Sequence, residues 1–289
     1  MWYSVLQKSY LHTSVHVLKK AAHNLKGKST ADQRWIVRQL NDPFVKAAHV
    51  HNYRCRSAFK LLEIDDKYKL LKPGFNVIDC GAAPGAWSQI AVHRVNSTGA
   101  NGEFPRGTVV GIDLLRIAPL DGAHFLSNHD ITDPVTHAKL LQLLPGAQAH
   151  VIMSDMAPNA SGFKEMDHEK LITMSLSLID LAAKVLQTGG SLICKYWDGA
   201  LAHQLQQKLS AVFRDVRTVK PKASRKESSE LFFLARSYRE NKIVQGDINI
   251  YGPECIVCIK PLSSEPPCSS SKFLCTSEQL FFLCQACLK

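Results

Sequence analysis

The stretch Val77-Ile-Asp-Cys-Gly-Ala-Ala-Pro-Gly-Ala-Trp87 limits what this chain can fold into more than any other. An apolar run that reads as a strand passes into a turn of small residues and then into a helical pattern from Ala86 to about Val95. Gly81 and Gly85 let backbone approach a ligand where a Cβ would collide, and the helix start offers free N–H groups to that ligand. This is the form of a nucleotide-cradling loop. The GxGxxG spacing of a dinucleotide fold is missing, because Gly81 and Gly85 stand four apart with Pro84 between them, so a nicotinamide cofactor is disfavoured. The plain alternative is a tight strand–helix turn with no ligand.

Further strand patterns follow. Thr108–Leu114 carries an acid near its end, Asp113, placed where a carboxylate can accept hydrogen bonds from ribose hydroxyls. His124–Asp130 also ends in an acid, and His150–Met156 runs into Ala157-Pro158-Asn159. Gly190–Trp197 carries Lys195, and Asp215–Lys220 and Glu230–Ser237 bring the expected strands to seven. Helical patterns, notably Pro134–Leu144 and His168–Leu186, separate most of them. Such alternation predicts an α/β fold with a doubly wound, mostly parallel sheet and ligands at the carboxyl ends of its strands.

Four segments in this order resemble the FtsJ family of ribosomal RNA 2'-O-methyltransferases, and within it the mitochondrial branch. They are Tyr-Arg-Cys-Arg-Ser-Ala-Phe-Lys-Leu-Leu-Glu at 53–63, Asp-Cys-Gly-Ala-Ala-Pro-Gly-Ala-Trp-Ser-Gln at 79–89, Ser-Asp-Met-Ala-Pro-Asn-Ala-Ser-Gly at 154–162 and Ser-Arg-Lys-Glu-Ser-Ser-Glu at 224–230. The resemblance covers roughly Asp42 to Tyr238. It implies a Rossmann-like, S-adenosylmethionine-dependent methyltransferase that acts on a ribose 2'-hydroxyl of mitochondrial large-subunit rRNA, at a uridine in the peptidyl-transferase region. The implied partner is that rRNA or the assembling large ribosomal subunit, in the mitochondrial matrix. The family's Lys-Asp-Lys-Glu catalytic set falls on Lys60, Asp155, Lys195 and Glu230, with no member replaced. Cofactor binding is carried by the same similarity onto Gly85, Trp87, Asp113, Asp130 and Asp155, with Gly81, Ala83, Pro84 and Ala86 completing the loop.

The chemistry explains why such a set is needed. A ribose 2'-hydroxyl is a poor nucleophile until its proton is removed or strongly polarised, so a positioned base is required. Lys195 is the candidate, since a lysine that is partly desolvated or beside another cation can act as a neutral amine. Lys60 could supply that cation, Asp155 would hold Lys195 and face the sulfonium, and Glu230 would orient Lys60 or the ribose. The methyl donor is already activated, so alignment of oxygen, methyl carbon and sulfur should contribute more than any one group. Asp113 suits the ribose diol and Asp130 the exocyclic amine of adenine, while Trp87 reads either as an apolar face for the ligand or as an ordinary core aromatic. Each residue taken alone has a plainer role. Asp155 could cap a turn, Glu230 could guard a strand edge, and Lys60 could belong to the polar face of a helix over Arg56–Leu62. A rival class of function is an rRNA-binding assembly factor that uses the methyl donor only structurally; the intact set of four argues against it.

Charge points to nucleic acid. The 289 residues carry a formal +10, and residues 1–60 hold 11 Lys or Arg against only Asp32 and Asp42, so nearly all the excess is N-terminal. A second basic cluster runs through Arg214, Arg217, Lys220, Lys222, Arg225 and Lys226. Arg54, Arg56 and the Lys220, Lys222, Arg225 and Lys226 segment are therefore expected to contact RNA, with Tyr53 and Phe59 available for stacking. Residues 1–40 form a separate basic segment in which Lys8, Lys19, Lys20, Lys26 and Lys28 interleave with apolar residues on a plausible amphipathic helix. This reads as a mitochondrial transit peptide, although no Arg precedes Arg34, and a basic RNA-binding arm is the rival. No run reaches 18 apolar residues, so no membrane span is expected. The domain at 41–240 holds three scattered cysteines, Cys55, Cys80 and Cys194, read as free thiols. The tail at 241–289 holds the other six of the nine, including Cys255-x-x-Cys258 and Cys284-x-x-Cys287. That pairing suits tetrahedral zinc, but 25 intervening residues rich in Ser and Pro favour a poorly ordered tail, so no metal site is assigned.

Overall fold

The computed structural model describes residue 27 and residues 29–159, 161–225 and 227–239. The amphipathic N-terminal pattern, Lys226 and the cysteine-rich tail lie outside them. Helices α1 (Thr30–Asn41), α2 (Pro43–Val50) and α3 (Ala58–Tyr68) lead into strand β1 (Asn76–Cys80), helix α4 (Ala86–Arg94), and strands β2 (Thr108–Asp113) and β3 (Ala123–Ser127). Helix α5 (Pro134–Leu143), strand β4 (Ala149–Ser154), helix α6 (Lys164–Val185), strand β5 (Leu186–Trp197), helix α7 (Ala202–Val212) and strands β6 (Phe213–Val219) and β7 (Glu230–Tyr238) follow.

The seven strands form one sheet in the order β3-β2-β1-β4-β5-β7-β6. β1 through β5 pair in parallel, whereas β7 inserts antiparallel between β5 and β6. The strand order reverses at β1 and β4, so the carboxyl ends of these two open the crevice where α/β sheets take ligands. Central strands covered on both faces should read as unbroken apolar runs, and β1 is buried at every position. Its alternation divides the core. Ile78 joins Val110, Ile152 and Leu192 beneath Leu178 and Leu181 of α6 and Leu205 of α7, while Val77 joins Val109, Val151 and Ile193 against Leu61 of α3 and Ile90 of α4. Each large apolar side chain so buried contributes about 1.5–3 kcal/mol, which holds the strand ends that bear the site in fixed register.

β5 and α6 each begin four residues earlier than the sequence reading, and three further boundary differences bear on the site. β3 stops at Ser127 because Asn128 takes a left-handed φ of 60°, which puts Asp130 in the following loop. β4 stops at Ser154, leaving Asp155 just past the strand end. α3 begins at Ala58, so Lys60 sits in its first turn and is turned inward rather than on a polar face. Among the described residues no helix is long and apolar enough to cross a membrane.

Candidate active site

Four charged side chains from four elements meet beyond the ends of β4 and β5. Lys60 Nζ lies 2.8 Å from Glu230 Oε2 and 3.3 Å from Asp155 Oδ1, and Lys195 Nζ lies 3.1 Å from the same Asp155 oxygen. Lys195 also donates to the Asp155 carbonyl. The two lysines are buried, at 6 % and 7 % exposure, so their charges need the partners they have. Two cations set against two carboxylates make a neutral cluster. Glu230 illustrates the balance: burial pushes its carboxyl upward, but the charge and hydrogen bond of Lys60, the hydroxyl of Ser224 and the charge of Lys195 outweigh that and hold it below the ordinary glutamate value. Ser224 Oγ donates to Glu230 Oε1 at 2.7 Å, and Ser175 Oγ donates to the Lys195 carbonyl at 3.2 Å. All four residues of the expected catalytic set are thus brought together.

The glycine loop lies against this cluster. A Cβ on Gly81 would meet Met156 Cγ at 2.2 Å, so the chain just after Asp155 packs directly on the loop. Gly85 has φ 105° and begins α4, whose first intrahelical hydrogen bond runs from Gln89 N to the Gly85 carbonyl at 3.0 Å. The amides of Ala86 and Trp87 precede that bond and face the loop as donors. Asp113 braces the other side, its Oδ2 accepting from Ala83 N at 2.8 Å and its Oδ1 from Leu115 N at 2.8 Å, with lone pairs left over for a diol. Asp130 is exposed, and hydrogen bonds from the Thr132 backbone and hydroxyl hold it below the ordinary aspartate value, as an ionised acceptor. An open helix start, a loop with a close-approach glycine, and carboxylate acceptors in the segments that follow β2 and β3 fit a nucleoside ligand.

Trp87 departs from one of its two readings. Its side chain is 3 % exposed, its ring is 5.7 Å from Phe232, and its Nε1 donates to the Ser57 carbonyl at 2.9 Å. The ring is therefore a core aromatic that fixes the start of α3, and only the backbone of Trp87 is placed for a ligand.

Asp79, inside β1 and beneath the loop, has a role that sequence reasoning did not assign. It is buried, and Ser88 Oγ donates to its Oδ2 at 2.6 Å. Burial lifts its carboxyl to about 7, the Ser88 bonds offsetting only part, and the neighbouring charges of Asp155 and Asp113 push the same way. An acid whose folded pKa is raised keeps its proton on folding, so the native state is favoured most below the unfolded value of 3.8. Stability from this group then falls by about 1.4 kcal/mol per pH unit as the pH rises toward the folded value. Asp79→Asn, neutral throughout, should remove that component. Urea unfolding between roughly pH 5 and 7 is expected to show the variant gaining on the wild type as the pH rises. Parallel curves would show that Asp79 is ionised in the fold.

The basic residues divide. Arg54 was expected on RNA, but its guanidinium donates to the carbonyls of Pro84 at 2.9 Å, Ala118 at 2.8 Å and Pro119 at 2.6 Å. It lies against Gly85, where a Cβ would meet its Nη1 at 2.4 Å, and so ties the glycine loop to the chain after β2. Tyr53 and Phe59 meet edge to face, ring centroids 5.5 Å apart, and both are half-buried. Arg56 Nε lies 3.0 Å from Asp42 Oδ2 and its Nη2 donates to the Ala223 carbonyl, and Arg225 Nη2 reaches the same Asp42 oxygen at 3.4 Å. Lys220 Nζ donates to the Ser228 carbonyl at 3.0 Å, and Lys222 is exposed. Glu63 accepts from the backbone amides of Lys222 and Ala223, fixing this loop to α3. Asp42 and Glu63 thus position the loop that supplies Ser224. The Asp-Pro pair at a helix start could have revealed Asp42 as a cap, but nothing local could have revealed its arginine partners.

A Rossmann-like sheet whose last strand is reversed, an open glycine loop at its switch point, and a lysine-carboxylate cluster beside that loop define a group-transfer enzyme of the methyltransferase class. The family model of FtsJ-like methyltransferases matches residues 53–238. The chain is 40% identical over 234 residues to a Drosophila melanogaster protein named rRNA methyltransferase 2, mitochondrial, covering 80% of this chain and 94% of that one. It is 43% identical over 220 residues to the ribosomal RNA large subunit methyltransferase E of Gluconobacter oxydans, covering 76% and 78%. Among solved structures, a Plasmodium falciparum protein described as a ribosomal RNA methyltransferase superposes with a TM-score of 0.56 at 27% identity, covering 64% of this chain and 98% of that one. The chain belongs to the FtsJ-like methyltransferase family.

Proposed function

We propose that this enzyme methylates the ribose 2'-hydroxyl of a uridine in the peptidyl-transferase region of mitochondrial large-subunit rRNA, in support of ribosome assembly. The observation that carries the reading is the pair of buried lysines sharing Asp155 Oδ1 beside the glycine loop. S-adenosylmethionine, when bound, supplies a methyl group already activated for transfer. Gly85, the Ala86 and Trp87 amides, Asp113 and Asp130 would hold it by the contacts their geometry allows.

Within this reading Lys195 first releases its own proton to solvent, and its neutral Nζ then takes the proton of the 2'-hydroxyl as the oxygen accepts the methyl group. Asp155 holds that amine in place through both its side chain and its carbonyl, and Lys60 keeps the carboxylate from turning away. Glu230 fixes Lys60, and Ser224 fixes Glu230. A proton-accepting group held this firmly contributes mainly by alignment, so the rate should depend on the whole cluster more than on any separate member. Residues 1–40 are read as directing import into the mitochondrial matrix, in keeping with the mitochondrial name of the fly relative. Residues 241–289 are read as a separate appendage that methylation does not need, since the catalytic set is complete by Glu230.

The test uses the purified full-length protein with S-adenosylmethionine labelled in its methyl group, offered large-subunit rRNA both naked and in assembling particles. Nucleosides released by digestion and resolved by mass spectrometry are expected to carry the label on ribose. Label on a base, or none with either substrate, would overturn the reading.

A further inference from the structure

A cleft of about 780 Å³ runs between α1, the start of α2, and the loop joining β6 to β7. It lies largely ahead of the stretch that the family model matches, which begins at residue 53. α1 contributes Arg34, Val37, Arg38 and Asn41 to its wall, a spacing of three and four that makes one continuous helix face. Arg34 and Arg38 are exposed, and neither forms an ion pair with another described residue. Across from them stand Arg56 and Arg225, which share a single carboxylate oxygen of Asp42; with Lys222 and Glu227 also in the lining, five cations face two carboxylates and the cleft keeps a positive excess. Asp42 itself is committed as the cap of α2, its Oδ1 accepting from Phe44 N at 2.9 Å. Between the cations the floor is apolar: Val37 is 44 % exposed and Phe44 lies beneath the Arg56 guanidinium at 5.8 Å.

We propose that this cleft is an RNA-binding channel, in which single-stranded nucleotides next to the target ribose place phosphates on Arg34 and Arg38 and a base over Val37 and Phe44. The inference rests on the functional reading above and names where its substrate runs. Alternating cations and apolar surface are what a single strand requires, since phosphates repeat along it and every base has an apolar face. Continuity with the reaction centre supports the same occupant. Ser224 lines the cleft and donates to Glu230, which pairs with Lys60, so the cleft borders the lysine-carboxylate cluster within two hydrogen-bonded contacts. An acidic protein segment would match the charge but has no need of the connection to Lys60.

The experiment measures binding of full-length protein to a fluorescein-labelled single-stranded oligoribonucleotide across a salt series. Arg34→Gln/Arg38→Gln is expected to weaken affinity by roughly tenfold and to reduce the slope of log K against log salt by about 1.4, since each of the two lost phosphate contacts removes about 0.7 of a released counterion on a single strand. Arg34→Lys/Arg38→Lys should restore most of the slope, because phosphate binding here needs charge. Unchanged S-adenosylmethionine affinity in both variants would exclude misfolding as the cause. If the wild type binds the RNA and the glutamine variant matches it in affinity and slope, the channel lies elsewhere and only this inference falls. Wild-type protein that binds no RNA at any salt concentration would also overturn this inference, while the functional reading would still be decided by the methylation assay on naked rRNA and assembling particles.

Discussion

Lys195→Met is expected to slow methyl transfer by about 10²-fold or more while leaving cofactor affinity nearly unchanged, the scale of losing a general base. Methionine keeps the apolar stem that Lys195 buries near the end of β5, so the strand should persist. What disappears is the amine that lies 3.1 Å from Asp155 Oδ1. Because that amine acts on the hydroxyl and not on the bound nucleoside, kcat and kcat/KM should fall together. Lys60 shares the same oxygen at 3.3 Å, so the two lysines are not independent. A double substitution of Lys60 and Lys195 by methionine should therefore lose far less than the product of the single losses. Single-turnover rates on rRNA check both points. Wild-type rates in Lys195→Met would assign the proton acceptor elsewhere.

Asp113→Ala should weaken S-adenosylmethionine binding by about 1–3 kcal/mol, the cost of leaving polar partners unmatched. Two effects contribute. The carboxylate would no longer meet a ribose, and the amides of Ala83 and Leu115, each at 2.8 Å, would lose their acceptor and release the loop. Asp113→Asn should fall between, since an amide keeps one acceptor oxygen where the carboxylate has two. Titration calorimetry gives the values directly. Affinity unchanged in the alanine variant would mean that another group meets the ribose.

The parts of this site that could be read from the chain are those fixed by local pattern. β1, β2 and β5 are apolar runs with Gly81, Asp113 and Lys195 at or beside their ends, and strand alternation decides which face each residue takes. Side-chain destinations over long separations could not be read. Arg54 reads in sequence as an RNA contact, yet its guanidinium is taken up by the carbonyls of Pro84, Ala118 and Pro119, which lie 30 to 65 residues away in the chain. Trp87 similarly turns into the core because Ser57, in another element, offers it a carbonyl. β3 reads too long when its end is set by the acid at Asp130, because Asn128, a residue that takes the left-handed conformation readily, already ends the strand. Asp79 stands inside the apolar run of β1, and the rise of its pKa to about 7 comes first from burial that only the closed sheet creates.

The most direct measurement is a map of ribose methylation across mitochondrial rRNA in cells that lack the protein, with wild-type or Lys195→Met chain returned to them. The account predicts that one large-subunit uridine loses its 2'-O-methyl group, regains it with the wild-type chain, and stays unmodified with Lys195→Met present at equal abundance. A methylation map that does not change when the protein is removed, or that the Lys195→Met chain restores, would contradict it.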